Sequence, residues 1–248
     1  MHTSKLESKH RIRPALVAGV RFAIVGNART GSSHLASLLD SHPGIACWND
    51  EIFNPGQAFD VSSYTDPAAF LRERVFSISS QAVGFKLLWD AMTYTPDVWQ
   101  LLKTQEIVLI HTVRANLLDS YISLRLATIN RVFSSWYSNE LRRHVGKYQT
   151  KHFVADFAEC VEWFEAVEHH DDEIRRCSTD YGIPRLEIEY KELCAHQGPV
   201  LDFLCVSRYP LTSRLTKQRQ GRQSEIILNY TSLKEQFGGS KWIAHFED

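Results

Sequence analysis

The stretch Gly26-Asn27-Ala28-Arg29-Thr30-Gly31-Ser32-Ser33 combines residue types suited to holding an anion. Its glycines let the backbone bend so that successive N–H groups converge, and a helix opening near Ser32 would add its positive dipole end. A doubly charged group fits such a cradle. The nucleoside-triphosphate version of this loop sets a lysine directly after the second glycine, for the β- and γ-phosphates, and a hydroxyl on Mg²⁺. Here Ser32 follows Gly31 and the cation stands two residues earlier, as Arg29, which argues against ATP hydrolysis. Cation, hydroxyls and strand context coincide, as a bare strand-to-helix turn would not require. Further along, Asp50-Glu51 follows a β-type run; either carboxylate could serve as a general base, or as a loop carboxylate or helix cap. His169-His170-Asp171-Asp172 has metal-ligand residue types. Consecutive helical positions point in different directions, however, so the cluster reads as a solvated face and implies no metal.

A cradle of this kind must hang between a strand and a helix. Residues 21–26 form a short β-type run ending at a glycine, and Leu35, Leu38 and Leu39 follow at helical spacing before Pro43. β-Type runs recur at 45–48, 82–88, 106–113 and 185–190, separated by segments long enough for crossovers. This alternation predicts an α/β protein: a central, mostly parallel sheet flanked by helices, in a P-loop NTPase-like three-layer sandwich whose ligands sit at the carboxyl ends of strands. The spacing predicts an amphipathic surface helix over 154–177, with Arg175 and Arg176 near its end, and another over 224–237. Residues 130–150 are rich in Arg, His, Ser and aromatics with weaker periodicity, and read as a lid or acceptor-side insertion.

A length of 248 residues suits one core. We expect a flexible N-terminal arm at 1–18 and a single domain at 19–248, since neither a repeat nor a linker marks a second unit. With 44% hydrophobic and 23% charged residues, a globular core is expected. A net charge of -1 is unlike a nucleic-acid binder, so any anion site must be local. The five cysteines are odd in number and lack a Cys-x-x-Cys pair, which disfavours a disulfide framework or zinc ribbon and suits a reducing, cytoplasmic setting. No apolar run approaches the ~18–20 residues of a membrane span. The polar, basic N-terminus lacks the apolar region of a secretory signal.

The order Arg29-Thr30-Gly31-Ser32-Ser33 resembles the 5′-phosphosulfate loop of sulfotransferases that use 3′-phosphoadenosine-5′-phosphosulfate (PAPS). Val113-Arg114, followed by a segment bearing Ser120 and Ser123, is similar to the 3′-phosphate segment of bacterial, carbohydrate-type members. Arg114 and Ser123 match, with Ser120 one helical turn earlier as the other choice. Val83-Gly84-Phe85-Lys86 resembles the family's central "GFK" strand. Tyr190-Lys191-Glu192-Leu193 resembles its late "Y-x-x-L" step, and Lys217-Gln218-Arg219-Gln220-Gly221-Arg222 the basic loop that closes over the nucleotide. These matches keep the family's order over nearly the whole chain.

The resemblance implies PAPS as donor, PAP as product and no metal. It implies Glu51 as catalytic base. Arg29 is placed to stabilise charge on the leaving phosphate, and Lys86, on a presumed central strand, suits either a catalytic place beside the transferring group or a strand end reaching solvent. Arg29, Thr30, Gly31, Ser32, Ser33, Arg114, Ser123, Lys217, Arg219, Gly221 and Arg222 would bind the donor. The sulfuryl group would go by in-line displacement to a hydroxyl or amine of a glycan, glycolipid or small metabolite. A small-molecule or carbohydrate acceptor is therefore the expected partner, with neither nucleic acid nor an integral membrane segment, and a homodimer is compatible. Asp50 rivals Glu51, and Ile52 stands where many members have proline. Trp48, Phe53, Trp89 and Trp136 suit either an acceptor platform or the core. Two other readings stay open: a P-loop nucleotide or small-molecule kinase, and a non-catalytic nucleotide-binding protein.

Overall fold

β-Branched and aromatic runs form five parallel strands in the computed structural model, which describes residues 19–54, 66–95, 97–132, 150–193, 195, 197–215 and 221–247. The expected arm at 1–18, positions 133–149 of the insertion with Trp136, and Lys217 and Arg219 lie outside the described residues. The strands are β1 (Val20–Gly26), β2 (Ile45–Glu51), β3 (Ala82–Leu88), β4 (Ile107–Val113) and β5 (Arg185–Glu189). They pair in the order β2-β3-β1-β4-β5, every pairing parallel. Every residue of β3 is buried, as expected where helices cover both faces of a parallel sheet.

The helices are α1 (Ser32–Leu39), α2 (Pro67–Phe70), α3 (Trp89–Tyr94), α4 (Val98–Thr104), α5 (Leu117–Asn130), α6 (Phe157–Asp180), α7 (Gln197–Phe203), α8 (Gln223–Ile226) and α9 (Tyr230–Gln236). On one sheet face Phe22 and Ile24 pack with Leu35, Ala36 and Leu39 of α1 and Val200 and Leu201 of α7. On the other, Ala23, Val25, Phe85, Leu87 and Leu109 pack with Met92, Leu102 and Ile174. A third cluster joins α5, α6 and α9 through Tyr121, Phe164, Leu233 and Phe237. The architecture is thus the three-layer α/β sandwich expected. From β1 the chain runs outward to β2, and later passes β1 to reach β4. Ligands of open parallel sheets sit at such a reversal, here at the carboxyl end of β1.

Two helices differ from expectation. The one over 224–237 is broken, because Ile227 forms a bridge with Phe153 and Asn229 clamps the backbone of Ala155 through two 2.9 Å hydrogen bonds. These tertiary contacts draw residues 227–229 out of a helix that local propensity alone would continue. The other begins later, at Phe157, where the Asp156 side chain accepts from Glu159 N, and runs on to Asp180. Arg175 and Arg176 therefore precede its last turn and pair with Glu187 and Asp172, and with Glu173 and Asp180. Among the described residues no helix is long and apolar enough to cross a membrane.

Candidate active site

The anion loop is suspended as its composition requires. Gly26 has φ 141°, and a Cβ there would lie 2.4 Å from the Thr112 carbonyl oxygen, so glycine is needed where β1 and β4 close at the loop's root. Gly31, at φ 92°, precedes α1; a Cβ there would meet the Tyr190 ring at 2.6 Å. Arg29, with φ 69°, is a non-glycine residue in left-handed backbone, a strained geometry typical of ligand sites. No side chain caps α1 and its first turn carries no acidic residue, which favours an anion at that end. Thr30 is fully buried; its hydroxyl donates to Asn27 O at 2.8 Å and lies 2.8 Å from Thr112 Oγ1, closing the loop on itself. Ser32 is buried beside it.

One group of site residues stands at the ends of β2 and β3. A register shift between Trp48 and Glu51 brings Glu51 opposite Lys86, so β2 continues past residue 48 through an irregularity invisible to periodicity. Lys86 is 4% exposed. Its ammonium donates to Ser33 Oγ at 2.9 Å and lies 3.6 Å from Glu51 Oε1. Burial pulls Lys86 below the usual lysine range, and the Glu51 carboxylate is the largest influence in the other direction. Asn54 donates to Glu51 Oε2 at 2.7 Å, orienting the carboxylate. Asp50 is exposed. Of the candidate platform aromatics, Phe53 is core, packed on Phe70 and Phe85. Trp48 and Trp89 are partly buried against the same cluster.

A second group gathers at the end of β4. Arg29 Nε donates to Ser123 Oγ at 3.0 Å, and Arg114 Nη1 donates to the Arg29 carbonyl at 3.2 Å. Arg114 is 8% exposed; its guanidinium lies 4.6 Å over the Tyr190 ring and 3.4 Å from Asp119 Oδ2. Two guanidiniums and a hydroxyl therefore share one corner, suited to a planar anion. Ser123 is the serine that meets Arg29, whereas Ser120 is fully buried in α5. Gly221 adopts φ 99°. Arg222 turns outward, pairing with Glu225 of its own turn at 3.1 Å.

The chain shares its fold with a solved sulfotransferase. The crystal structure of a sulfotransferase from Alicyclobacillus acidocaldarius superposes with a TM-score of 0.55 at 17% sequence identity, over 93% of this chain and 95% of that one. No protein-family model and no curated protein matches this chain.

Several residues that hold the site together escape a reading by motif. Gln223, 2% exposed, donates to Asp119 Oδ1 and to the His245 carbonyl and accepts from Glu247 N. It ties the C-terminal segment to the carboxylate beside Arg114. Its signal was only its place after the basic run. The cluster at 169–172 is also corrected. His169 and Asp172 face solvent, but Asp171 is buried and contacts Asn27 and His111, while His170 reaches Asn27. The cause is the inward stripe of α6, where Cys160, Phe164, Val167, Asp171 and Ile174 are buried at helical spacing. Among the described residues no group of three or more His, Cys, Asp or Glu could hold a metal ion.

Proposed function

We propose that this chain is a sulfotransferase that moves the sulfuryl group of PAPS to a hydroxyl or amine of a glycan, glycolipid or small metabolite. The observation that carries this reading is the pair of clusters flanking one anion loop: Glu51–Lys86–Ser33 on one side and Arg29–Ser123–Arg114 on the other. The donor's charge pattern suits them. The corner at Ser123 fits the 3′-phosphate, with Arg114 gripping it and the Tyr190 ring steadying that guanidinium. Backbone N–H groups of residues 29–33 would hold the 5′ group, with Arg29 reaching it from the same corner. Gly221 and Arg222, with Lys217 and Arg219, would belong to the segment that closes over the nucleotide.

When bound, the donor supplies a sulfur that exchanges its bond to the leaving phosphate oxygen for one to the acceptor oxygen or nitrogen, the bonding pair departing on the phosphate. The chain's residues do the rest. Glu51 takes the acceptor's proton on its carboxylate. Lys86, held by Ser33, sets an ammonium beside the oxygens that carry charge as the bonds exchange. Asn54 keeps the carboxylate turned to its task.

Incubation with radiolabelled PAPS and a panel of sugar, glycolipid and phenolic acceptors in a metal chelator tests the reading. Label should pass to one acceptor class and leave 3′,5′-adenosine bisphosphate behind. Label transfer from the γ-position of ATP that requires Mg²⁺ would establish the kinase instead.

A further inference from the structure

On the face of the sheet that α6 covers, a chain of buried polar groups starts at the loop. Asn27, the first residue after β1, is 3% exposed. Its Nδ2 donates to Asp171 Oδ1 at 2.9 Å and to the Val167 carbonyl at 3.4 Å. A carboxylate only accepts, so the amide orientation is fixed, and Asn27 Oδ1 accepts from His170 Nδ1 at 2.8 Å. His170 in turn stacks on Trp89, with ring centroids 4.6 Å apart.

The same Asp171 oxygen lies 3.1 Å from His111 Nε2. His111 is fully buried, and its Nδ1 stands 3.3 Å from Glu187 Oε2, an ion-pair contact not aligned as a hydrogen bond. Glu187 is also gripped by Arg175 and Arg185. An imidazole between two carboxylates that only accept is best satisfied as the cation; the neutral ring could donate to only one of them and would turn a lone pair toward the other. Burial by itself would lower the pKa of His111, but contact with Asp171 and Glu187 outweighs it and the net direction is up.

The position of this cation gives it purpose. His111 pairs in register with Val25, and the next residue, Thr112, pairs with Gly26 and holds Thr30. We propose that Asn27 is a positioning residue for the anion loop, locked in place by Asp171, which the buried His111 cation holds beneath it. The inference rests on the reading of that loop as the donor site. The groups facing His111 are Asp171 from α6 and Glu187 from β5. Arg175 and Arg185 sit beyond Glu187, Asn27 and His170 beyond Asp171, and apolar Val25 stands alongside.

The sign of the pH effect follows. A raised pKa gives a contribution that is complete below the ordinary imidazole value and lost as pH climbs through the folded value. Above about pH 7 the ligand phosphates no longer titrate. Affinity for 3′,5′-adenosine bisphosphate, measured by calorimetry upward from there, should fall as His111 loses its proton. Asp171→Asn keeps an oxygen for Asn27 and removes only the charge, so in that variant the fall should begin at a lower pH. Lys86 lies on the opposite face with Ser33, so its share of any decline is common to both proteins. A decline at the same pH in both would overturn the proposal.

Imidazole titration by NMR reads the same charge without nucleotide. His111 should titrate above about 6.5 in the wild type and lower in the variant. A wild-type value at or below 6.5, which can be measured even if Asp171→Asn fails to fold, would refute it. Should the wild type bind no bisphosphate at any pH, the donor reading fails, and the titration alone then decides the brace.

Discussion

The two clusters beside the anion loop are built differently. At β2 and β3 the buried Lys86 cation faces a half-buried carboxylate, Glu51, at 3.6 Å and donates to Ser33 Oγ at 2.9 Å. At β4 and α5 two guanidiniums and Ser123 converge, and the counter-charge, Asp119, is engaged by Gln223 from behind. The first arrangement is spare; the second is cross-linked by hydrogen bonds from Arg29, Arg114 and Gln223, although left-handed backbone occurs beside both, at Phe53 and at Arg29. The contrast teaches a division of labour: one end suits a proton and a moving charge, the other a fixed anion.

That division can be broken by experiment, beginning with the largest effect. Glu51→Gln should lower turnover by ~10³-fold and leave bisphosphate affinity as in the wild type, measured by single-turnover label transfer alongside calorimetry. Equal losses in both would dissolve the contrast. Lys86→Met should lower turnover at saturating donor by ~10²-fold. Because burial depresses the Lys86 pKa, wild-type turnover should also decline on the alkaline side below the usual lysine range, as the ammonium is lost, and that limb should vanish in the variant. A persistent limb would remove Lys86 from the reaction.

At the other end, Arg114→Ala removes charge-assisted bonds of about 1.5–3 kcal/mol, so affinity for 3′,5′-adenosine bisphosphate should fall about 10- to 100-fold with little change in affinity for 5′-AMP. Parallel losses for both nucleotides would place Arg114 elsewhere. Gln223→Ala should have the smallest effect, about a threefold weakening of bisphosphate binding, because the glutamine acts on the corner only through the Asp119 carboxylate, with turnover at saturation preserved.

Much of this was legible in the residues. The strand runs could be placed because a doubly covered parallel sheet demands apolar segments with glycine or polar stops, and the loop because its glycines and Arg29 sit between such a segment and a helix. Glu51 and Lys86 could each be named, but not their pairing, since it depends on a register shift after Trp48 that leaves no periodic trace. Asp171 and His111 were hidden for a different reason. A carboxylate on an amphipathic helix and a histidine within a strand look ordinary until tertiary packing turns them toward each other, 60 residues apart in the chain. The broken helix at 227–229 likewise reflects a partner, Phe153, that is distant in sequence.

The central claim is that the loop and the Arg29–Ser123–Arg114 corner recognise a 3′-phosphorylated adenosine nucleotide. Calorimetric titration of the full chain with 3′,5′-adenosine bisphosphate, 5′-AMP and ATP–Mg²⁺ tests it most directly. The bisphosphate, titrated in a metal chelator, should bind at least about tenfold more tightly than 5′-AMP, the worth of one charge-assisted contact, and ATP–Mg²⁺ should bind more weakly than the bisphosphate. Indifference to the 3′-phosphate, or a clear preference for ATP–Mg²⁺, would contradict the account.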